Sequence, residues 1–111
     1  MNLQKILKEV NQNNDNILIA NVNDNVCIYN IDFESNKIEE LKIENEYFTK
    51  NKKTLLYILN SIKEKYNFFT YILIEKNKIC LYDIEKKEIV SKKYNLSVLG
   101  IMNFLNDNQL L

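Results

Sequence analysis

The chain has no histidine, arginine, tryptophan or proline, and only one glycine. Without histidine it lacks the side chain best matched to proton transfer near neutral pH, which is also the commonest transition-metal ligand. Without arginine it has no bidentate clamp for phosphate or guanine and no arginine finger. The two cysteines, Cys27 and Cys80, fall short of a zinc ligand set and sit on expected strands among apolar neighbours. Free cysteine in such a setting behaves as a small buried hydrophobe. No apolar run is long enough to span a membrane. Lys5, Lys8 and Glu9 interrupt the start before a signal-peptide core forms, so the expected compartment is the cytoplasm, where a disulfide between the two thiols is not expected.

What is present balances closely. Lysine supplies all fifteen basic groups against fifteen acidic ones, for a net charge of zero. Lys50, Lys52 and Lys53, and again Lys86, Lys87, Lys92 and Lys93, form basic clusters, and Tyr29 and Tyr82 would stack bases on an open sheet face. The zero net charge nevertheless weakens the electrostatic attraction on which nucleic-acid binding depends, so nucleic acid is not the expected partner. At 111 residues, 46% hydrophobic and 27% charged, the composition is that of one folded domain spanning residues 1–111. Asparagine occurs nineteen times, scattered through expected turns and caps.

The chain is organised around Tyr71 to Ile84, YILIEKNKICLYDI, which reads as two strands joined by a polar turn at Glu75 to Lys78. Much the same text occurs earlier. Ile17-Leu18-Ile19 precedes Val26-Cys27-Ile28-Tyr29-Asn30-Ile31-Asp32, as Ile72-Leu73-Ile74 precedes Ile79-Cys80-Leu81-Tyr82-Asp83-Ile84-Glu85. The chain reads as two copies of one unit.

Around these hairpins the pattern predicts helices and further strands. Leu3, Ile6, Leu7 and Val10 follow helical spacing behind an Asn2 cap, and a polar turn runs from Asn11 to Asn16. Strands are expected at Asn16–Val22 and Val26–Asp32, with an edge strand over Lys37–Glu44. The strongest helix is expected from Thr49 or Asn51 to Tyr66, with Leu55, Ile58, Leu59, Ile62 and Tyr66 on its core face. Strands follow at Phe68–Glu75, Lys78–Glu85 and Ile89–Tyr94. A last helix opens at Leu96 or Ser97, carries Val98, Leu99, Ile101, Met102 and Leu105, and frays into a polar tail at Asn106 to Gln109.

In the central hairpin Leu73, Ile79 and Leu81 are assigned to one face, and Ile72, Ile74, Cys80, Tyr82 and Ile84 to the other. A sheet apolar on both faces calls for cover on both. The expected fold is therefore α/β (α+β), a three-layer sandwich with a mostly antiparallel sheet between helices, in the order α-ββ(β)-α-βββ-α.

From Leu55 to Leu105 the run of a long helix, TYILIEKNKICLYDI, EIVSKKY and NLSVLGIMNFL resembles the Roadblock family of dynein light chains and GTPase regulators. ILIANVNDNVCIYNI resembles that family's first strand-turn-strand, with Asn23-Asp24-Asn25 where the family usually carries a glycine turn. The resemblance implies a profilin-like fold and a non-enzymatic module, without cofactor, that forms a homodimer through the middle helix and binds a small GTPase or a scaffold. The interface residues it suggests are Leu56, Tyr57, Asn60 and Lys63, on the helix face opposite the core stripe.

The rival expectation is a small inhibitor or immunity protein, of anti-nuclease, anti-CRISPR or antitoxin type. It draws on the acidic connector, in which Asp32, Glu34, Glu39, Glu40, Glu44 and Glu46 face only Lys37 and Lys42 before the sign reverses at Lys50. Glu39, Glu40, Glu44 and Glu46 would then imitate nucleic acid toward a nuclease or toxin partner. Enzyme chemistry would have to come from Asp83 with Glu85, or from Cys80 as a nucleophile with Lys78 beside it, and is the least expected class.

Overall fold

The computed structural model describes residues 2–11 and 16–110. Residues 12–15 of the expected Asn11 to Asn16 turn lie outside the described residues.

Among the described residues seven strands make one antiparallel sheet: β1 (Asn16–Val22), β2 (Asn25–Asp32), β3 (Lys37–Leu41), β4 (Thr70–Glu75), β5 (Lys78–Asp83), β6 (Glu88–Ile89) and β7 (Tyr94–Asn95). Their order is β3-β2-β1-β4-β5-β6, with β7 also paired to β5. Two meanders thus meet at the β1–β4 ladder, where Leu18 lies opposite Leu73. One strand further out, Tyr29 faces Leu18 and Cys80 faces Leu73. In the sheet, therefore, Tyr29 matches Cys80. The text match of Cys27 with Cys80 counts from the hairpin tips, and the first hairpin reaches further, to Val22 and Asn25.

Turn chemistry follows the same doubling. Asn23 and Asp24 both take positive φ, 52° and 63°, which closes a two-residue hairpin whose twist suits the flanking strands. Asp32 Oδ1 accepts the Glu34 and Ser35 N–H groups, and Asn36 is left-handed. In the second copy Asp83 Oδ1 accepts from Glu85 and Lys86, and Lys87 is left-handed. An aspartate that bonds its own turn offers the chain a reversal that needs no glycine.

The helices are α1 (Leu3–Val10), α2 (Glu46–Lys50), α3 (Lys52–Lys65) and α4 (Val98–Asp107). Asn2 caps α1 and Asn45 caps α2, each accepting an N–H at 3.1 Å. The expected middle helix is α3, and Asn51 separates it from the short α2, which was not expected: the Asn51 backbone N–H turns to Phe48 O and its side-chain amide to Tyr47 O. The expected final strand is likewise split into β6 and β7, because the Leu81 N–H bonds the Ser91 hydroxyl, an irregularity in the edge ladder. The expected fraying after α4 does not occur, since the Leu110 N–H bonds Leu105 O at 2.8 Å and its side chain is buried.

A mixed α/β architecture with an antiparallel sheet is observed, but the helices do not lie on both faces. Buried residues of all four helices join one cluster with Ile17, Ile19, Ile28, Ile72, Ile74, Ile79 and Leu81. The opposite face forms its own cluster of Leu18, Ile31, Leu73, Cys80 and Tyr82, flanked by Tyr29, Tyr71 and Ile84, with no helical member among the described residues. The layers number two. The expected face assignment within the hairpin also changes, because the short turn sets Ile74 opposite Ile79 and puts both under the helices. The bare face is covered by its own tall side chains: Phe33 meets the Tyr82 ring edge-on at 5.7 Å, and Lys93 pairs with Glu75 at 3.1 Å.

Candidate interaction surfaces

Helix α4 is seated by contacts at both ends. The Ser97 hydroxyl accepts the Gly100 N–H at 3.0 Å, which caps the helix. Gly100 lets the helix sit directly on β7, since a Cβ there would stand 2.0 Å from the Asn95 carbonyl oxygen. Phe104 packs edge-on against Tyr94 at 5.8 Å, and the Tyr94 hydroxyl donates to Asp107. That bond to a carboxylate, reinforced by burial, pushes the Tyr94 phenol up to about 12. Gln4 of α1 donates to Leu96 O at 2.9 Å, and Tyr66 after α3 donates to Asn108 Oδ1 at 2.6 Å.

So fixed, α4 buries Gly100, Ile101, Phe104 and Leu105. Its other side carries three exposed apolar side chains, Val98 at 63%, Leu99 at 67% and Met102 at 53%, followed by exposed Asn103, Asn106 and Asp107. Beside them a cavity of about 300 Å³ opens between Val98, Met102 and Leu105 on α4 and Asn2, Leu3 and Gln4 at the start of α1. From Tyr94 to Asn106 the chain carries no charged side chain. Sequence reading listed these α4 residues as helix-formers and missed them as a surface; that uncharged stretch was the signal available.

Comparison with protein-family models, curated proteins and solved structures finds no match to this chain.

The residues expected at the middle-helix interface lie on α3, but only partly as one surface. Tyr57 is 67% exposed, whereas Leu56 is half-buried. Asn60 accepts a hydrogen bond from Asn21 Nδ2 at 2.6 Å. Lys63 lies 4.0 Å over the ring of Phe68, an exposed aromatic that the sequence reading left out. Lys63 and Asn60 therefore already have partners within the chain.

The acidic residues spread out. Glu39 lies opposite Asn30 and Glu40 opposite Tyr29, so as neighbours on β3 they point to opposite faces. Glu44 is exposed in the connector after β3, and Glu46 pairs with Lys50 at 3.1 Å.

The groups considered for catalysis have other occupations. Burial pushes the Cys80 thiol up to about 12, with Lys93 nearby acting in the opposite sense and Lys78 not among the causes. A thiol held protonated is a poor nucleophile. Asp83 is buried and accepts from Asn67 Nδ2 at 2.8 Å as well as from its turn, and the Asn67 bond leads the causes that hold its carboxyl below the ordinary range. Among the described residues no group of three His, Cys, Asp or Glu side chains is arranged to hold a metal ion, and no helix is long and apolar enough to cross a membrane.

Proposed function

We propose that this chain is a non-enzymatic protein-interaction module whose binding surface is the uncovered face of α4. The observation that carries the reading is the grouping of Val98, Leu99 and Met102, each more than half exposed, beside an apolar cavity on a helix held at both ends. Contiguous exposed apolar surface costs solubility unless a partner covers it, and interface cores are depleted of charge in just this way. The rigid seat adds to the reading, because a surface that is already ordered loses little entropy on binding.

The partner classes raised by the sequence, a small GTPase for a Roadblock-like regulator and a nuclease or toxin for an inhibitor, are distinguished by affinity capture from native extract. The reading expects Leu99→Asp to abolish specific capture while the circular dichroism spectrum and melting temperature stay unchanged. Capture unaffected by Leu99→Asp, or substrate turnover by the purified chain alone, contradicts it.

A further inference from the structure

We infer that the partner presents an acidic segment to this surface, an aliphatic side chain flanked by carboxylates, seated where α4 meets the lysines that lead into β7. This rests on the docking reading above and adds the chemistry of the partner. The two flanks of α4 differ. Val98 and Met102 line the apolar cavity shared with α1. Leu99, 67% exposed, and Asn103 line a second recess of about 240 Å³, to which Lys78, Lys92 and Lys93 also contribute. Lys78 is brought there by the β5–β7 ladder, in which it lies opposite Asn95, and Lys92 and Lys93 belong to the segment just before β7.

The sign of the charge decides what can sit there. All three lysines are exposed, and among the described residues no carboxylate lines the recess. Lys78 donates to the Asn95 side-chain oxygen, and Lys92 lies 5.5 Å over the Tyr94 ring; neither contact cancels the ammonium charge. Lys93 is shared with Glu75 at 3.1 Å. Asp107, the acidic residue of α4, stands about 12 Å further along the helix axis than Leu99 and accepts from the Tyr94 hydroxyl. Complementarity across an interface therefore calls for carboxylates on the partner, and Leu99 beside the lysines calls for an apolar side chain among them. Nucleic acid has the right sign but meets the wrong surface. Tyr94, the aromatic that lines the recess, is buried edge-on against Phe104, so its ring is not open to stack a base.

Amide chemical-shift titration of the full chain tests this, with a blocked synthetic peptide of one leucine flanked by glutamates as the probe. The peptide is expected to shift the amides of Lys92, Lys93, Leu99, Gly100 and Asn103, and to bind more weakly as salt is added. The double substitution Lys78→Gln, Lys92→Gln is expected to weaken binding by about tenfold at an unchanged melting temperature. Leu99→Lys and Leu99→Asp remove the same aliphatic contact, but the first adds a cation and is expected to bind the peptide more tightly than the second. A peptide with glutamine in place of glutamate that binds equally well overturns the inference, as does oligothymidylate bound more tightly than the peptide. So does Leu99→Asp binding at least as well as Leu99→Lys, a double variant that binds as the wild type does, or no shift at millimolar peptide. In affinity capture, a protein lost with Leu99→Asp but fully held by the double variant overturns the acidic segment alone and leaves the docking reading standing. Capture indifferent to Leu99→Asp removes both.

Discussion

The Asn95 carbonyl oxygen lies 2.0 Å from the place a Cβ on Gly100 would occupy, so β7 and α4 touch through backbone with no side chain between them. The only glycine in the chain is thus placed where a helix meets a strand and not in a turn. Gly100→Ala is expected to force α4 away from β7. Overpacking of this kind costs about 1–3 kcal/mol, and a contact with backbone falls at or above the upper end. Chemical denaturation checks it, and Ser97→Ala, which removes only the cap, is expected to cost about 1 kcal/mol.

Leu73 is fully buried although, among the described residues, no helix lies above it. Its cover is the layer of Tyr82, Tyr71, Tyr29 and neighbouring side chains. Leu73→Ala is therefore expected to cost about 2–5 kcal/mol, the range for leucine deletions in a core. Ile72→Ala, beneath the helices, is expected to match it in urea unfolding.

The two thiols differ in access. Cys80 is buried and its thiol is pushed up to about 12, while Cys27 is half-buried. A disulfide-exchange reagent at neutral pH is expected to label Cys27 first and Cys80 only after the chain unfolds. Mass spectrometry of the labelled peptides reads the order, and equal labelling in the native state would contradict the burial.

Asp83 makes part of the stability depend on pH. Its carboxyl is held below the ordinary value of 3.8, first by the Asn67 amide and then by backbone N–H groups. A lowered folded value means the contribution is complete above 3.8 and is lost as pH falls through the folded value. Asn67→Ala is expected to move the Asp83 titration upward by carboxyl NMR and to destabilise the fold near neutrality. Part of that difference should disappear in acid, while the part due to the Asn67 bonds to the Phe69 N–H and the Thr70 hydroxyl persists.

Much of the fold was legible because period and turn chemistry agree. Leu3, Ile6, Leu7 and Val10 marked α1, and the hairpin text marked β1, β2, β4 and β5, with β4 expected to begin two residues early at Phe68 and β5 to end two residues late at Glu85. The sidedness of the sheet was harder to read. An apolar face signals burial but does not say by what, and here tyrosines and Phe33 supply on one face what helices supply on the other. Ser91 interrupted the expected last strand through a single side-chain hydrogen bond, and the short α2 ahead of Asn51 was not expected; no periodicity reveals either. At the candidate site, Tyr57 was recognised as exposed on α3, but the more apolar surface belongs to α4. Its helical pattern looked like ordinary core because nothing in Val98, Leu99 and Met102 themselves distinguishes covered from uncovered positions.

The chain has two methionines, Met1 and Met102, so a methyl-labelled sample gives one signal from the α4 face. Relaxation of that methyl by a soluble paramagnetic agent measures directly whether the face is covered. With the chain in complex with a captured partner, the Met102 methyl is expected to be shielded, and exposed again in Leu99→Asp. A Met102 methyl as open to the agent in the complex as in the free chain would contradict the account.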